Sequence, residues 1–343
     1  MRCRRGCRAA LIGLLFPAAW TALSFRGEFS FWRGIIVSVF IFGIFMETFR
    51  TVIIGAGEIG GAIEFLLKET GKTVQKWDAD PSKVLGQEPL ERLIPKAQIL
   101  FLCVPSWVLR DAMRSIKPFL KSRAIVVFLS KGLDQGGKTV PELAEEMLPG
   151  QTFALLSGPM LAEEIKKGFG GAAVAASKSS KARRVMSELF AGSSLRVEAS
   201  SDVRGVALAS VLKNIYAVAL GIADGLAWGG NKKGWLADQA IGEMEKIVPM
   251  LGGRAKSVLS PAGIADLIAT GFSSYSSNRQ GGDELVKSGI CCKKSEGFVS
   301  LPPLAARLGQ QVSQFPLFSL LQRVFEQHED AKAAFAAFFR KES

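Results

Sequence analysis

From residue 50 onward the chain alternates two hydrophobic patterns. Short, mostly apolar runs that read as strands fall at Thr51–Ile54, Thr73–Trp77, Ile99–Val104, Ile125–Leu129, Phe153–Leu156 and Ala172–Ala176. Between them, apolar residues recur at helical spacing over Ala62–Thr70, Val108–Ile116, Val140–Met147, Leu161–Lys167 and Lys181–Leu189. Strands alternating with helices predict a parallel sheet covered by helices on both faces. One more short strand, Leu195–Val197, ends this region. After Ser200-Ser201 the texture changes. Val203–Gly225 reads as one long apolar helix, and Leu236–Leu251, Ala262–Thr270, Leu304–Ser313 and Leu317–Phe339 continue as helices with few strand signals. The polar tract Asn231-Lys232-Lys233-Gly234 reads as a loop between two of them.

The first strand runs directly into Gly55-Ala56-Gly57-Glu58-Ile59-Gly60. Strand, tight turn and helix start follow at the spacing that brings backbone N–H groups to a pyrophosphate. The first Gly permits the turn, the second clears space for the phosphates, and the third lets the helix pack on the strand. The helix N-terminus adds unpaired N–H groups and a positive dipole end. The expected cofactor contacts are Gly55, Gly57, Glu58, Ile59 and Gly60; the competing reading is a purely structural turn. The second strand ends in Trp77-Asp78-Ala79-Asp80, about twenty residues further on. A carboxylate there accepts hydrogen bonds from the adenosine ribose and repels the 2′-phosphate of NADP. Asp78, with Asp80 close behind, therefore points to NAD, with NADP as the alternative; as a bare turn residue it would only open the bend before Pro81. The fold class is α/β: a Rossmann-type doubly wound parallel sheet over residues 46–200, then an all-α domain over 201–343.

Composition narrows the chemistry. The chain has 343 residues, 48% hydrophobic and 22% charged, which suits a soluble globular protein with two domains. Its five cysteines (Cys3, Cys7, Cys103, Cys291 and Cys292) fit no zinc spacing, and His328 is the only histidine. A His-based metal site or a Ser-His-Asp triad is thereby disfavoured, no metal is expected, and the compartment reads as reducing. The formal net charge is +12, and residues 1–50 hold seven Arg against two Glu. After residue 50 no basic run is interleaved with aromatics, so the expected partner is an anionic small molecule and not nucleic acid.

Residues 1–45 form an N-terminal extension. Ala9–Phe25 is apolar but broken by Pro17, and Gly34–Met46 is apolar for thirteen residues. Neither reaches the ~20 residues of a comfortable membrane span. A signal peptide, an uncleaved anchor and sequence upstream of the true start all fit this pattern. Met46, five residues before the first strand, is the expected start. The expected location is cytoplasmic, with membrane contact only if the extension is genuine and retained.

Within the long apolar helix sits Lys213-Asn214. Lysine is seldom buried without a partner. Burial lowers an ammonium pKa and makes it a candidate proton donor or acceptor at a carbonyl or hydroxyl; a snorkelling surface lysine is the competing reading. Further strings accompany it in order: GAGEIGGAI from Gly55, Val104-Pro105-Ser106, Ser130-Lys131-Gly132, Leu156-Ser157-Gly158-Pro159 with Ala162-Glu163-Glu164, Gly221–Gly225, Ala265-Asp266-Leu267, Ser276–Arg279 and Glu296-Gly297. Together with Lys213-Asn214 they resemble the NAD(P)-dependent glycerol-3-phosphate dehydrogenase family over most of residues 50–325.

The resemblance implies a homodimeric enzyme that passes hydride between the nicotinamide C4 and C2 of dihydroxyacetone phosphate or glycerol 3-phosphate, supplying phospholipid precursor. It implies that Lys213 is the general acid/base, Lys131 a second cation beside substrate and cofactor, and Asp266 a hydrogen-bond partner of Lys213 or of a substrate hydroxyl. Gly158, Asn214, Ser276 and Asn278 would contact the substrate, and Ala162 and Glu296 the cofactor. The family has Arg where this chain has Ser277, Ser where it has Met160, and Glu where it has Ala207. The missing Arg contacts the substrate phosphate, and Arg279 is expected to take over from a different angle. Two alternatives stand beside this reading: a dehydrogenase of the same fold with a different hydroxy or keto substrate, and a dinucleotide-binding module without catalysis.

Overall fold

The structure, a computed structural model, describes residues 50–289 and 294–341. The extension over residues 1–45, the start expected at Met46, and Cys3, Cys7, Cys291 and Cys292 lie outside the described residues. Among the described residues, seven strands form one sheet in the order β2-β1-β3-β4-β5-β6-β7: Thr51–Ile54, Val74–Trp77, Ile99–Leu102, Ile125–Phe128, Phe153–Ser157, Gly171–Ala176 and Leu195–Ser200, numbered along the chain. β1 to β5 pair in parallel. Alternate residues on each strand serve opposite layers. Val52, Ile54, Leu100 and Leu102 pack on α2 (Ser106–Ile116) and α3 (Val140–Met147). Ile53, Ile99 and Phe101 pack on α1 (Glu58–Glu69) and α5 (Ser180–Leu189). Both faces are covered, which is why the central strands β3 and β4 are apolar and buried throughout, whereas the edge strands β2 and β7 carry Gln75, Lys76, Arg196 and Glu198.

The sheet departs from uniform direction at one place: β6 runs antiparallel to β5, and β7 is parallel to β6. The link from β5 to β6 holds only α4 (Ala162–Lys166). Five helical residues span about 7.5 Å, too short to carry the chain back along the sheet. α4 stays at the end where β5 finishes, with Lys166 paired to Glu58 at the start of α1. The chain therefore enters β6 from the end at which it left β5.

After β7 the chain is helical. α6 (Val203–Gly225) has every residue from Gly205 to Ala223 buried. It is long and apolar enough to cross a membrane, but its apolar window is wholly buried inside the protein. Around it lie α7 (Gly230–Met250), α8 (Asp266–Phe272), α9 (Ser277–Ser288), α10 (Glu296–Leu308), α11 (Pro316–Glu326) and α12 (Ala331–Lys341). The tract 231–234 is part of α7 and not a loop. Lys233 bonds Asp224 at 2.5 Å, and Lys232 lies over the Trp228 and Phe339 rings, so its polar side chains tie the helix start down. The apolar pattern over Leu317–Phe339 is two helices, broken near His328, whose φ is +54°. At the start of α11 the buried Glu243 carboxylate accepts the Leu317 and Phe318 N–H groups and the Tyr216 hydroxyl.

α9 gives no periodic signal, because its sequence SNRQGGDELVKS has no apolar stripe. It is held by close approach to α6. A Cβ on Gly221 would lie 2.0 Å from the Arg279 carbonyl oxygen, and one on Gly282 would lie 2.2 Å from that of Val218. Gly221→Ala should therefore lower the thermal midpoint, with a loss of about 1–3 kcal/mol typical of overpacking. Calorimetry against the parent chain measures this, and an unchanged midpoint would contradict the tight crossing.

Candidate active site

A cleft of about 440 Å³ opens beyond the C-terminal ends of β1 and β3. The strand order reverses between these two strands, and doubly wound sheets bind their ligands at such a switch point. One wall is the glycine turn. Gly55 has φ +95°, a conformation that disfavours any side chain, and a Cβ there would meet the Cys103 carbonyl oxygen at 2.5 Å. A Cβ on Gly60 would lie 1.9 Å from the Gly55 oxygen, so the third glycine is required by packing. Gly57 faces open space, with nothing within 4 Å of the position a Cβ would fill, and it forms the N-cap of α1 without a side-chain cap. Gly57, Glu58 and Ile59 line the cleft.

Asp78 stands at the end of β2, behind the turn. Its Oδ2 accepts the Ala56 N–H at 2.7 Å and its Oδ1 the Asp80 N–H at 2.9 Å, while the Lys83 ammonium lies 3.7 Å from Oδ1. Asp80 caps the turn Pro81–Lys83 by accepting the Ser82 N–H at 3.0 Å. Ala162 begins α4 and belongs to the apolar core, beside Met160 and Leu161, which line the cleft.

The opposite wall is electrostatic. Lys213 projects from the middle of α6 with its side chain 5% exposed. Its Nζ donates to Thr270 Oγ1 at 2.8 Å and lies 3.2 Å from Asp266 Oδ1. Lys131, in the turn after β4, donates to Asp266 Oδ2 and to the Gly158 carbonyl oxygen, each at 2.8 Å. Thr270 in turn donates to Asp266 Oδ1 at 3.1 Å. One buried carboxylate thus holds two ammonium groups. Burial lowers the Lys213 pKa to about 8, opposed by the Asp266 charge and assisted by repulsion from Lys131. Burial pushes Asp266 upward, but the charges of Lys131 and Lys213 outweigh it and hold the carboxyl below its usual range.

Beside this group runs a chain of amides. Asn214 Nδ2 donates to the Lys131 carbonyl oxygen at 3.0 Å, Asn278 Nδ2 to Asn214 Oδ1 at 2.8 Å, and the Gly297 N–H to Asn278 Oδ1 at 2.8 Å. Glu296, the first residue of α10, accepts the Ser106 N–H at 2.9 Å and its hydroxyl at 2.5 Å. Burial raises the Glu296 pKa, with the Ser106 bonds and the lysine charges holding it back. Ser276 caps α9 by accepting the Arg279 N–H at 3.2 Å.

The structure thus brings Lys131, Lys213, Asn214, Asp266, Ser276, Asn278 and Glu296 to one cleft. Arg279 corrects the expectation that it replaces the missing Arg. It does not line the cleft, and its guanidinium pairs with Asp224 on α6, which also holds Lys233. Thr270, Trp107, Tyr275 and Lys294 line the cleft without having been foreseen. Thr270 was legible in principle, since it follows Asp266 by four residues on one helix and shares its face; the others are not marked by any local pattern.

The matching protein families are described as the NAD-dependent glycerol-3-phosphate dehydrogenase N-terminus, over residues 79–183, and C-terminus, over residues 202–336. A glycerol-3-phosphate dehydrogenase [NAD(P)+] of Nitratidesulfovibrio vulgaris is 33% identical over 258 residues, 68% of this chain and 78% of that relative. The Clostridium tetani enzyme of the same name is 29% identical over 310 residues, 81% of this chain and 88% of that relative. Among solved structures, glycerol-3-phosphate dehydrogenase from Coxiella burnetii superposes with TM-score 0.76 at 25% identity, covering 85% of this chain and 99% of its own.

The shared carboxylate sets an expectation for the site itself. Asp266→Asn removes the charge that favours the ammonium form of Lys213, so the Lys213 titration should move below its parent value of about 8. Leaving two ammonium groups uncompensated should also destabilise the fold by about 3–5 kcal/mol. Lysine side-chain NMR against pH reads the first effect and denaturant unfolding the second; a Lys213 midpoint that stays or rises would contradict the arrangement.

Proposed function

The chain belongs to the NAD-dependent glycerol-3-phosphate dehydrogenase family, and on that premise we propose that it interconverts dihydroxyacetone phosphate and glycerol 3-phosphate with NAD(P). The observation that carries this reading is the Lys131–Asp266–Lys213 group, built on a buried carboxylate and a buried Lys213, facing a glycine turn across one cleft. The turn fits a dinucleotide: the space at Gly57 admits a phosphate, and the uncapped start of α1 presents a positive dipole end to it. When bound, the nicotinamide supplies or accepts a hydride at the substrate C2.

The residues of this chain do the remaining work. As C2 of the ketone is reduced, negative charge grows on its oxygen. Lys213 stabilises that charge and donates a proton to it; in the reverse direction the neutral amine removes the proton from the hydroxyl. Asp266 fixes the direction of the Lys213 ammonium and keeps Lys131 beside it. Thr270 takes part in the same hydrogen-bond network and limits rotation of the Lys213 side chain. Asn214, Asn278 and Ser276 position the substrate toward its phosphate end. Asp78 favours NAD by repelling a 2′-phosphate, while Lys83, 3.7 Å away, offsets part of that repulsion and leaves NADP acceptable.

Following NADH oxidation with dihydroxyacetone phosphate tests the proposal; an absence of turnover by a chain that binds NADH would sink it. Lys213→Ala should lower kcat by roughly 10²–10⁴, the usual contribution of a positioned acid or base. Near-parent activity in that variant would remove Lys213 from its role. The pH dependence has a defined sign. Ketone reduction needs the ammonium and should fall as pH rises through about 8, whereas glycerol 3-phosphate oxidation needs the amine and should rise over the same interval. Profiles that move together in both directions would contradict the assignment.

A further inference from the structure

The phosphate of the proposed substrate is a dianion, and the cations near the cleft are unequally available to it. Lys131 and Lys213 share Asp266. Arg279 and Lys233 are committed to Asp224, and Lys167 donates to the Tyr275 hydroxyl. Lys294 differs. It lines the cleft, its Nζ lies 4.6 Å from the centre of the Trp107 ring, and it has no carboxylate partner among the described residues. An aromatic face holds an ammonium more weakly than a phosphate oxygen does, so this contact orients the cation without consuming it.

The next residue carries a second, independent signal. Ser295 lines the same cleft and is 4% exposed, and its Oγ is buried with no hydrogen-bond partner among the described residues. It is also the N-cap residue of α10, a position whose hydroxyl ordinarily accepts an N–H of the first turn, yet it makes no such bond. A buried hydroxyl left unpaired is unfavourable and calls for an explanation, such as a ligand that completes it. Across the cleft lie Ser276, Ser277 and Asn278 at the start of the twelve-residue α9. Two helix N-termini therefore bound the same space, and the cation that the family carries at position 277 is absent from it.

We propose that Lys294 and Ser295 bind the substrate phosphate in place of the Arg that this chain lacks at Ser277. The inference rests on the glycerol-3-phosphate reading for the identity of the ligand, but the anion site can be tested apart from turnover. The cation has moved from the start of α9 to the residue before the α10 cap, and both positions open on one cleft. Substrate recognition is thus kept with a different donor set: a point charge and a hydroxyl instead of a bidentate guanidinium.

The test is calorimetric titration of glycerol 3-phosphate into the full chain with NADH bound, and of inorganic phosphate into the chain alone. Lys294→Ala should weaken both by tenfold or more while leaving NADH affinity within twofold. Ser295→Ala should weaken glycerol 3-phosphate about threefold and raise the thermal midpoint of the free protein, since it deletes an unpaired buried hydroxyl. Ser277→Arg should restore at least half of the affinity lost in Lys294→Ala, and should improve the parent chain by less. Phosphate binding that depends on Lys294 in a chain that fails to reduce dihydroxyacetone phosphate would uphold the anion site and remove the glycerol-3-phosphate reading. Affinities in Lys294→Ala within twofold of the parent, or a parent chain that binds neither anion, would overturn the inference.

Discussion

The buried carboxylate of Asp266 is the constraint on which the functional half of this molecule depends. Two ammonium groups approach it, Lys131 at 2.8 Å and Lys213 at 3.2 Å, at a side chain only 3% exposed. Burying these charges separately would be prohibitive; together, and with Thr270 and the Gly158 carbonyl completing their hydrogen bonds, they are tolerated. The same balance sets the chemistry. Desolvation alone would drive Lys213 toward the neutral amine, and the carboxylate alone would lock it as ammonium. Their opposition leaves a lysine near pKa 8, able to exchange a proton in either direction at neutral pH.

That group can form only because the fold brings three distant segments together. Lys131 leaves the sheet just after β4, Lys213 sits in the middle of a helix buried on all sides, and Asp266 opens α8. The close crossing of α6 and α9 at Gly221 and Gly282 places the start of α9, and with it Asn278, against the Asn214 amide. Glu296 reaches from the start of α10 to Ser106 at the start of α2, joining the helical region to the sheet. Helices α6, α8, α9 and α10 therefore carry the site together with Lys131 in the turn after β4, and the glycine turn forms the facing wall.

The start of α9 departs from the family pattern at Ser277, while Lys131, Lys213 and Asp266 keep it. Arg279 looked like a stand-in for the Arg missing at Ser277, yet it is drawn to Asp224 on the far side of the α6–α9 crossing. A helical residue two positions on points about 200° away around the axis, so a side chain at 279 cannot share the direction of one at 277. The replacement proposed above comes from another segment lining the same cleft, Lys294 and Ser295.

The sequence by itself determined what local periodicity and short motifs can encode. The bounds of α3 and α6, the first strand, the glycine turn with its geometry, and the pairing of Lys213 with Asn214 were all readable, because each depends on residues within a few positions of one another. The sheet direction at β6 was not, since it follows from where a short α4 ends up lying. α9 was not, because close backbone approach at two glycines, rather than an apolar stripe, holds it. The tract 231–234 looked like a loop because its lysines find their partners, Asp224 and the Trp228 and Phe339 rings, only after folding. Asp78 and Arg279 were chosen by residue type, but their roles depend on which neighbour captures their charge. Contacts between residues 135 positions apart, such as Lys131 to Asp266, leave no periodic trace in the chain. Only the tertiary structure decided which of the candidate charges meet, which are neutralised elsewhere, and which remain turned toward the cleft.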